Sequence, residues 1–241
     1  MLAKGSGAVS ALVVRQMVGD KASGDERELS CDAVGMAGGW NPAIHLYSHS
    51  GGKARWDDGA VCFKPGAAMP GQASVGACNA GFGIGISLDE GSLAGAAAAT
   101  QAGFAAKAEA YAVDEMGLEP AGRFWIAETG QPLSRRAKAF VDYQNDVSAS
   151  DIELAIREGF ESIEHIKRYT AMGFGTDQGK LGNINGMALA ARVTKQTIPE
   201  TGTTVFRPNY TPIAFGAIAG RHCDELFDPR RYTALHASHL E

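Results

Sequence analysis

The chain has 241 residues, of which 45% are hydrophobic and 20% charged, and its formal net charge is -5. That length fits one large domain or two small ones, and the composition is ordinary for a globular protein. A negative balance without a clustered basic face argues against nucleic-acid binding, and no apolar run is long enough to span a bilayer.

Cys31, Cys62, Cys78 and Cys223 are far apart and form no C-x-x-C pair, so buried free thiols are a better reading than a metal or dithiol site. The N-terminus lacks a cationic start followed by an apolar core, and a cytoplasmic location is the expectation.

Residues 8–18 are β-branched and apolar and read as a strand, followed by a polar turn over 19–25. Residues 28–39 read as a second, buried parallel strand running into a glycine turn, with chemistry just beyond its carboxyl end. His45 and His49 stand at i and i+4, where Pro42 fits a helix start and Gly51 and Gly52 a stop. Without a third ligand nearby, a packed or solvent-facing histidine pair outweighs a metal site.

Residues 73–85 read as a short strand followed by Gly81, Gly83 and Gly85, and the alanine-rich stretch 93–113 as a long helix. Glycines between strand and helix let a backbone approach an anionic ligand. Their spacing by two is not the strict G-x-G-x-x-G, and close helix-on-sheet packing is the better reading of them, supported by the alanines that follow. Residues 114–137 read as a connector with a buried anchor at Phe124, Trp125 and Ile126.

A helical unit follows. Ser150 and Glu153 form an expected capping box, Ile152, Ala155 and Ile156 an apolar face, and Gly159 a stop. Ser162 caps a second helix with the face Ile163, Ile166 and Tyr169. After a glycine loop over 173–182, Ile184, Met187, Ala188 and Ala191 mark a third. Three short helices make a module of marginal size that needs neighbours for stability. The tail from Pro199, broken by Pro208, Pro212 and Pro229, reads as extended, with His236 and His239 at an exposed terminus.

Two strings are distinctive: FVDYQNDVSASD at 140–151 and KRYTAMGFGTDQGK at 167–180. With GGWNP at 38–42, His45 and Leu46, SGGK at 50–53, Trp56 and Asp57, VGACN at 75–79, GTTVFRP at 202–208, Tyr210 to Pro212, Phe215 and Gly216, and Ala219 to Arg221, they resemble the central portion of the alpha subunit of heterotetrameric sarcosine oxidase. The resemblance implies an α/β chain. Residues 1–113 would be the closing part of an FAD/NAD-binding-like domain, 114–137 a connector, 138–197 an all-helical module resembling a two-iron, two-sulphur domain without its cluster, and 198–241 an extended tail.

In that family, sarcosine is oxidised to glycine at FAD in a beta subunit. Electrons pass to FMN at the alpha–beta interface and then to oxygen, and the one-carbon unit meets tetrahydrofolate in the alpha subunit, which also carries NAD. By resemblance, Ala77, Phe82 and Ile84 lie near NAD, although Ala80 and Gly81 depart from the family's pattern. Relatives in amino-acid and opine dehydrogenases hold an iron–sulphur cluster with four cysteines, where this chain has Asp142, Gln144, Asp177 and Gly182. A cluster needs thiolates, so it is excluded. The glycine loop keeps Thr176, Gln178, Lys180 and Asn183 beside a helix start, where they can serve a flavin phosphate or a subunit interface. Equally, Lys167, Arg168 and Lys180 read as solvated helix-end charges.

The chain shows neither the opening G-x-G-x-x-G unit of a dinucleotide domain nor the folate domain that begins in the family near Arg231 to His236. The expectation is an enzyme component with a partial NAD site, acting with smaller subunits and a flavin-bearing beta subunit, and not catalytic alone. A non-catalytic scaffold remnant, or part of a related amino-acid or opine dehydrogenase, is the alternative.

Overall fold

The computed structural model describes residues 2–18, 21–114, 122–127, 129–209, 211–221 and 230–241. Cys223, Pro229, Tyr210 and much of the expected connector (115–121 and 128) lie outside the described residues. Contacts divide the chain into a large unit, Met1–Tyr210, and a small one, Thr211–Glu241.

The large unit begins with β1 (Leu2–Gly5), β2 (Val9–Val18) and β3 (Lys21–Ser30), an antiparallel sheet in that order. The valine-rich strand is where the sequence placed it, and only its Ala11 and Val13 are buried. Its partner is not the expected parallel strand over 28–39. β3 includes residues 21–25, read as turn, ends at Ser30, and pairs antiparallel with Leu12 opposite Leu29 and Val13 opposite Glu28. Both outer strands are exposed; Lys4–Glu28 (2.6 Å) joins them, and Arg15–Glu26 (2.8 Å) joins β3 to the central strand. Such exposed pairs are screened by water and contribute little to stability.

α1 (His45–His49) is one helical turn, stopped as expected by the glycines after it. Next come β4 (Ala54–Asp57) and β5 (Cys62–Pro65), an antiparallel pair. Asp57 takes the turn's amides from Gly59 and Ala60 and pairs with Lys64, which with those hydrogen bonds holds its carboxyl down at about 2. Tyr47 fastens the helix to this hairpin: its hydroxyl donates to the Ala67 carbonyl (2.7 Å) and accepts from the Gly66 N–H (3.1 Å). Cys62 is buried, its thiol pushed up to about 11 by desolvation, while Cys31 and Cys78 are half-buried.

The strand expected within 73–85 is instead a short 3-10 turn, Gly76–Asn79. The alanine-rich helix, α2 (Ile84–Gln101), starts and ends earlier than 93–113. It starts just after Gly83, and Gly103 at φ 88° turns the chain away beyond its end. Phe124 is exposed, whereas Ile126 packs against the core, so the expected anchor is Ile126 and not the whole triplet.

The core lies in the second half, where β6 (Phe140–Asp142) and β7 (Val147–Ser148) form a two-stranded pair leading into α3 (Ala149–Arg157). The cap is two residues earlier than expected: the Ser148 N–H donates to the Asp151 carboxylate at 2.8 Å, because the strand pairing already ends at Ser148. α4 (Ile163–Thr170) and α5 (Asn183–Thr194) complete the module. Ile152, Ala155, Ile166 and Ala190 have no exposed surface, and burying each isoleucine side chain contributes about 1.5–3 kcal/mol. Gly186 lets α5 lie against Met172, whose sulfur leaves no room for a Cβ. Tyr169 is not on the buried face; it is exposed and donates to Glu158 at 2.6 Å.

The tail is not extended throughout. α6 (Ile198–Thr201) has a Thr197–Glu200 capping box, and residues 202–209 then run over the module without regular structure. The small unit contains α7 (Phe215–Ala219), a 3-10 turn at Ala237–His239 and a stacked Tyr232–His236 pair at 4.2 Å.

Candidate functional site

The glycine loop between α4 and α5 is organised by a carboxylate. Asp142, 5% exposed, accepts from the N–H groups of Gln144 (2.8 Å), Asn145 (3.1 Å) and Gly173 (2.8 Å). The Gln144 amide accepts from Thr176 Oγ1 (2.7 Å) and donates to the Phe174 carbonyl (3.1 Å) and Asp177 Oδ1 (3.2 Å). Asp177 in turn accepts from the Gly179 N–H at 2.9 Å. At Gly182 any Cβ would strike the Val141 carbonyl. Three of the four positions expected to replace cluster cysteines are thus hydrogen-bonding residues that tie the loop, and the fourth is too crowded for a side chain. Among the described residues no cluster of His, Cys, Asp or Glu could hold a metal ion, and these four supply no thiolate, so an iron–sulphur cluster does not fit.

Beside this loop opens a cleft of about 210 Å³, walled by Asn41 to His45, Phe63, Gly179, Lys180, Asn183, Met187, Thr203 and Phe206. Its floor is apolar. Lys180 is the charged side chain on its wall, because His45 is held neutral. His45 is 2% exposed and its ring lies 3.9 Å from that of Phe206. Burial pulls its pKa down to about 4, with Lys180 and His49 adding repulsion, while a hydrogen bond to the Gln178 backbone and the charge of Asp177 oppose the shift. Asn183, 3% exposed at the start of α5, donates through Nδ2 to Thr204 Oγ1 at 2.8 Å.

Of the residues expected at a site, Lys180 and Asn183 come together on the cleft. Gln178 stands next to them in a left-handed conformation (φ 52°), its side-chain oxygen accepting from the Arg207 N–H at 3.3 Å. Thr176 faces Gln144 and does not line the cleft. Ala77, Phe82 and Ile84 lie elsewhere, at the 3-10 turn and the start of α2, where the Gly76 N–H donates to Glu90 at 2.7 Å. Lys167 is not a solvated helix-end charge. It is 6% exposed and donates to the Val205 carbonyl at 2.9 Å. Sequence reasoning missed Thr203 and Phe206 as walls, while its preference for a packed histidine over a metal ligand holds at His45.

A chain with this mixed α/β architecture and this loop falls in a known class: residues 136–221 match the family described as Sarcosine oxidase A3 domain. By sequence the chain belongs with the sarcosine oxidase alpha subunits. It is 39% identical to the sarcosine oxidase alpha subunit of Corynebacterium sp. (strain P-1), covering 98% of this chain and 25% of that protein. It is 37% identical to the corresponding protein of Rhizobium meliloti (strain 1021), over 97% and 23%. An opine oxidase component of the latter organism is 26% identical over 80% of this chain and 45% of its own length. The chain thus spans about a quarter of the sarcosine oxidase proteins it matches. In fold it is similar to L-proline dehydrogenase from P. horikoshii, with a TM-score of 0.62 at 20% identity, over 91% of this chain and 44% of that one.

Proposed function

We propose that this chain forms part of a sarcosine-oxidase-like flavoenzyme and supplies the surface that meets a flavin-bearing beta subunit. The enzyme would oxidise sarcosine, or another secondary amine, with oxygen and tetrahydrofolate. The observation that carries the reading is the cleft whose cation, Lys180, comes from the glycine loop of the matched 136–221 domain. At about 210 Å³ the cleft is smaller than the ~300–1,000 Å³ usual for a whole drug-sized ligand. It suits one anionic end, such as the phosphate of FMN, with the ring covered by the partner.

In this reading Lys180 supplies the positive charge, Asn183 and Gln178 orient the loop around it, and Thr176 fixes the loop's outer side. FMN would supply the electron transfer; the chain's own residues bind, orient and exclude water. An NAD-binding half over residues 1–113, with Ala77, Phe82 and Ile84 near the cofactor, belongs to the same proposal, as does FAD in the partner. No helix among the described residues is long and apolar enough to cross a membrane.

The test is a visible spectrum of the chain purified alone and after co-expression with a flavin-bearing beta subunit. The expected results are a colourless chain that joins a yellow, sarcosine-oxidising complex, and a Lys180→Met complex depleted in FMN. A complex that forms without FMN, or that retains it undiminished in the variant, would sink the assignment of the cleft.

A further inference from the structure

Among the described residues, 203–207 have no strand partner, yet they alternate in burial: Thr204 is 1% exposed, Val205 57% and Phe206 9%. The Val205 peptide is gripped at both ends by α4, its N–H donating to Glu164 Oε1 at 2.6 Å and its carbonyl accepting from Lys167 Nζ at 2.9 Å. Those two side chains take the place of a β-ladder. The grip aims Thr204 at Asn183 and lays Phe206 on His45, so the segment becomes one wall of the cleft. On its N-terminal side stands Gly202 at φ 77°, a backbone state that most side chains disfavour and where the chain can pivot.

We infer that residues 203–207 are a strap that opens and closes the cleft, latched by Glu164 and Lys167, which act as positioning residues and touch no ligand themselves.

The latch is of a kind that releases locally. Its bonds are made by side chains, and outside regular structure such segments open without the whole domain. Arg168 pairs with the far oxygen of Glu164 at 3.1 Å and steadies it. Lys167 is nine-tenths buried, its ammonium 5.7 Å from the Phe174 ring, and burial lowers its pKa, with Arg207 and Arg168 adding repulsion and Glu164 opposing. Opening returns that ammonium to water, which offsets part of the cost of the lost bonds. It also lifts Phe206 off His45, so the histidine reports strap position from the far side. The charged and titratable groups around His45 are Lys180, His49 and Asp177.

The experiment is residue-resolved amide exchange, with an NMR titration of His45, on the whole chain and on Lys167→Met. The inference holds if Val205 and its neighbours exchange about tenfold faster in the variant, as the loss of one charge-assisted bond implies. Exchange at Ile152 in α3 should stay unchanged, and His45 should titrate about one unit or more above the parent's value as Phe206 withdraws. Unchanged strap exchange in a folded variant overturns it, as does acceleration at Ile152 equal to that at Val205. Should Lys167→Met fail to fold, the parent chain decides. Strap amides exchanging well before Ile152 support a latch, and strap amides exchanging only with Ile152 refute it. None of these readings depends on what the cleft binds.

Discussion

Glu90 accepts the backbone N–H of Gly76 at 2.7 Å, so the glycine turn is hydrogen-bonded by the helix that follows it. The same helix turns Ser87 back on the Gly83 carbonyl at 2.7 Å. The closely spaced glycines therefore serve local closure: the helix packs so near the turn that a Cβ at Gly81 would meet Ile86 at 2.7 Å.

Glu90→Ala should cost about 1–3 kcal/mol by leaving a half-buried amide unpaired, and Glu90→Gln much less. Amide exchange at Gly76, together with urea unfolding, separates the two. Equal effects would show that the carboxylate bond does not hold the turn.

His45 gives stability a pH dependence with a definite sign. Its folded pKa of about 4 lies below the ordinary value of 6.5, so the unfolded chain binds the proton first. Stability is complete above about pH 6.5 and falls as pH drops towards 4, by at most about 3 kcal/mol for a shift of this size. His45→Phe should remove that slope in denaturant titrations at pH 7, 6 and 5. An unaltered slope would assign it to other groups.

Asp142 gathers three backbone N–H groups, and replacing it by alanine strands them. The expected loss is about 2–4 kcal/mol, at the upper end for a single buried acceptor. Asp142→Asn, which keeps one acceptor oxygen, should recover about half. Iron chelators should leave the thermal midpoint of the parent chain unchanged, since no thiolate stands at the four positions. A chelator-induced drop would contradict the loop described above.

Tyr47→Phe tests the hub between the first helix and the hairpin. The hydroxyl both donates to Ala67 and accepts from Gly66, and its loss should cost about 1–2 kcal/mol. Urea unfolding at pH 7 measures it, and a neutral substitution would mean that water replaces both bonds.

The helical module was legible because apolar residues recur at helical spacing within each helix (Ile152 and Ala155, Ile163 and Ile166, Met187 and Ala191), and all of them are buried. The ends of the alanine-rich helix were not, since alanine favours helix everywhere and marks no boundary; Gly83 and Gly103 set them instead. The first hairpin was misread because residues 21–30 are polar and carry no alternation, so pairing with the valine-rich strand decided their conformation. In the cleft, Lys180 and Asn183 could be found from a glycine loop before a helix. Phe206, and the buried Thr204 that anchors its segment on Asn183, could not, because their partners His45 and Asn183 are distant in sequence and only tertiary packing brings them together.

The carboxylate at position 142 has a consequence for how the chain is made. Loops built on iron and sulphur are unfinished when translation ends and wait for a delivery machinery to complete them. This loop is tied by its own peptide groups and side chains, with Asp142 accepting three backbone N–H groups, so closing it calls for no iron. Oxygen or peroxide that would strip a metal cluster meets no thiolate at Asp142, Gln144, Asp177 or Gly182.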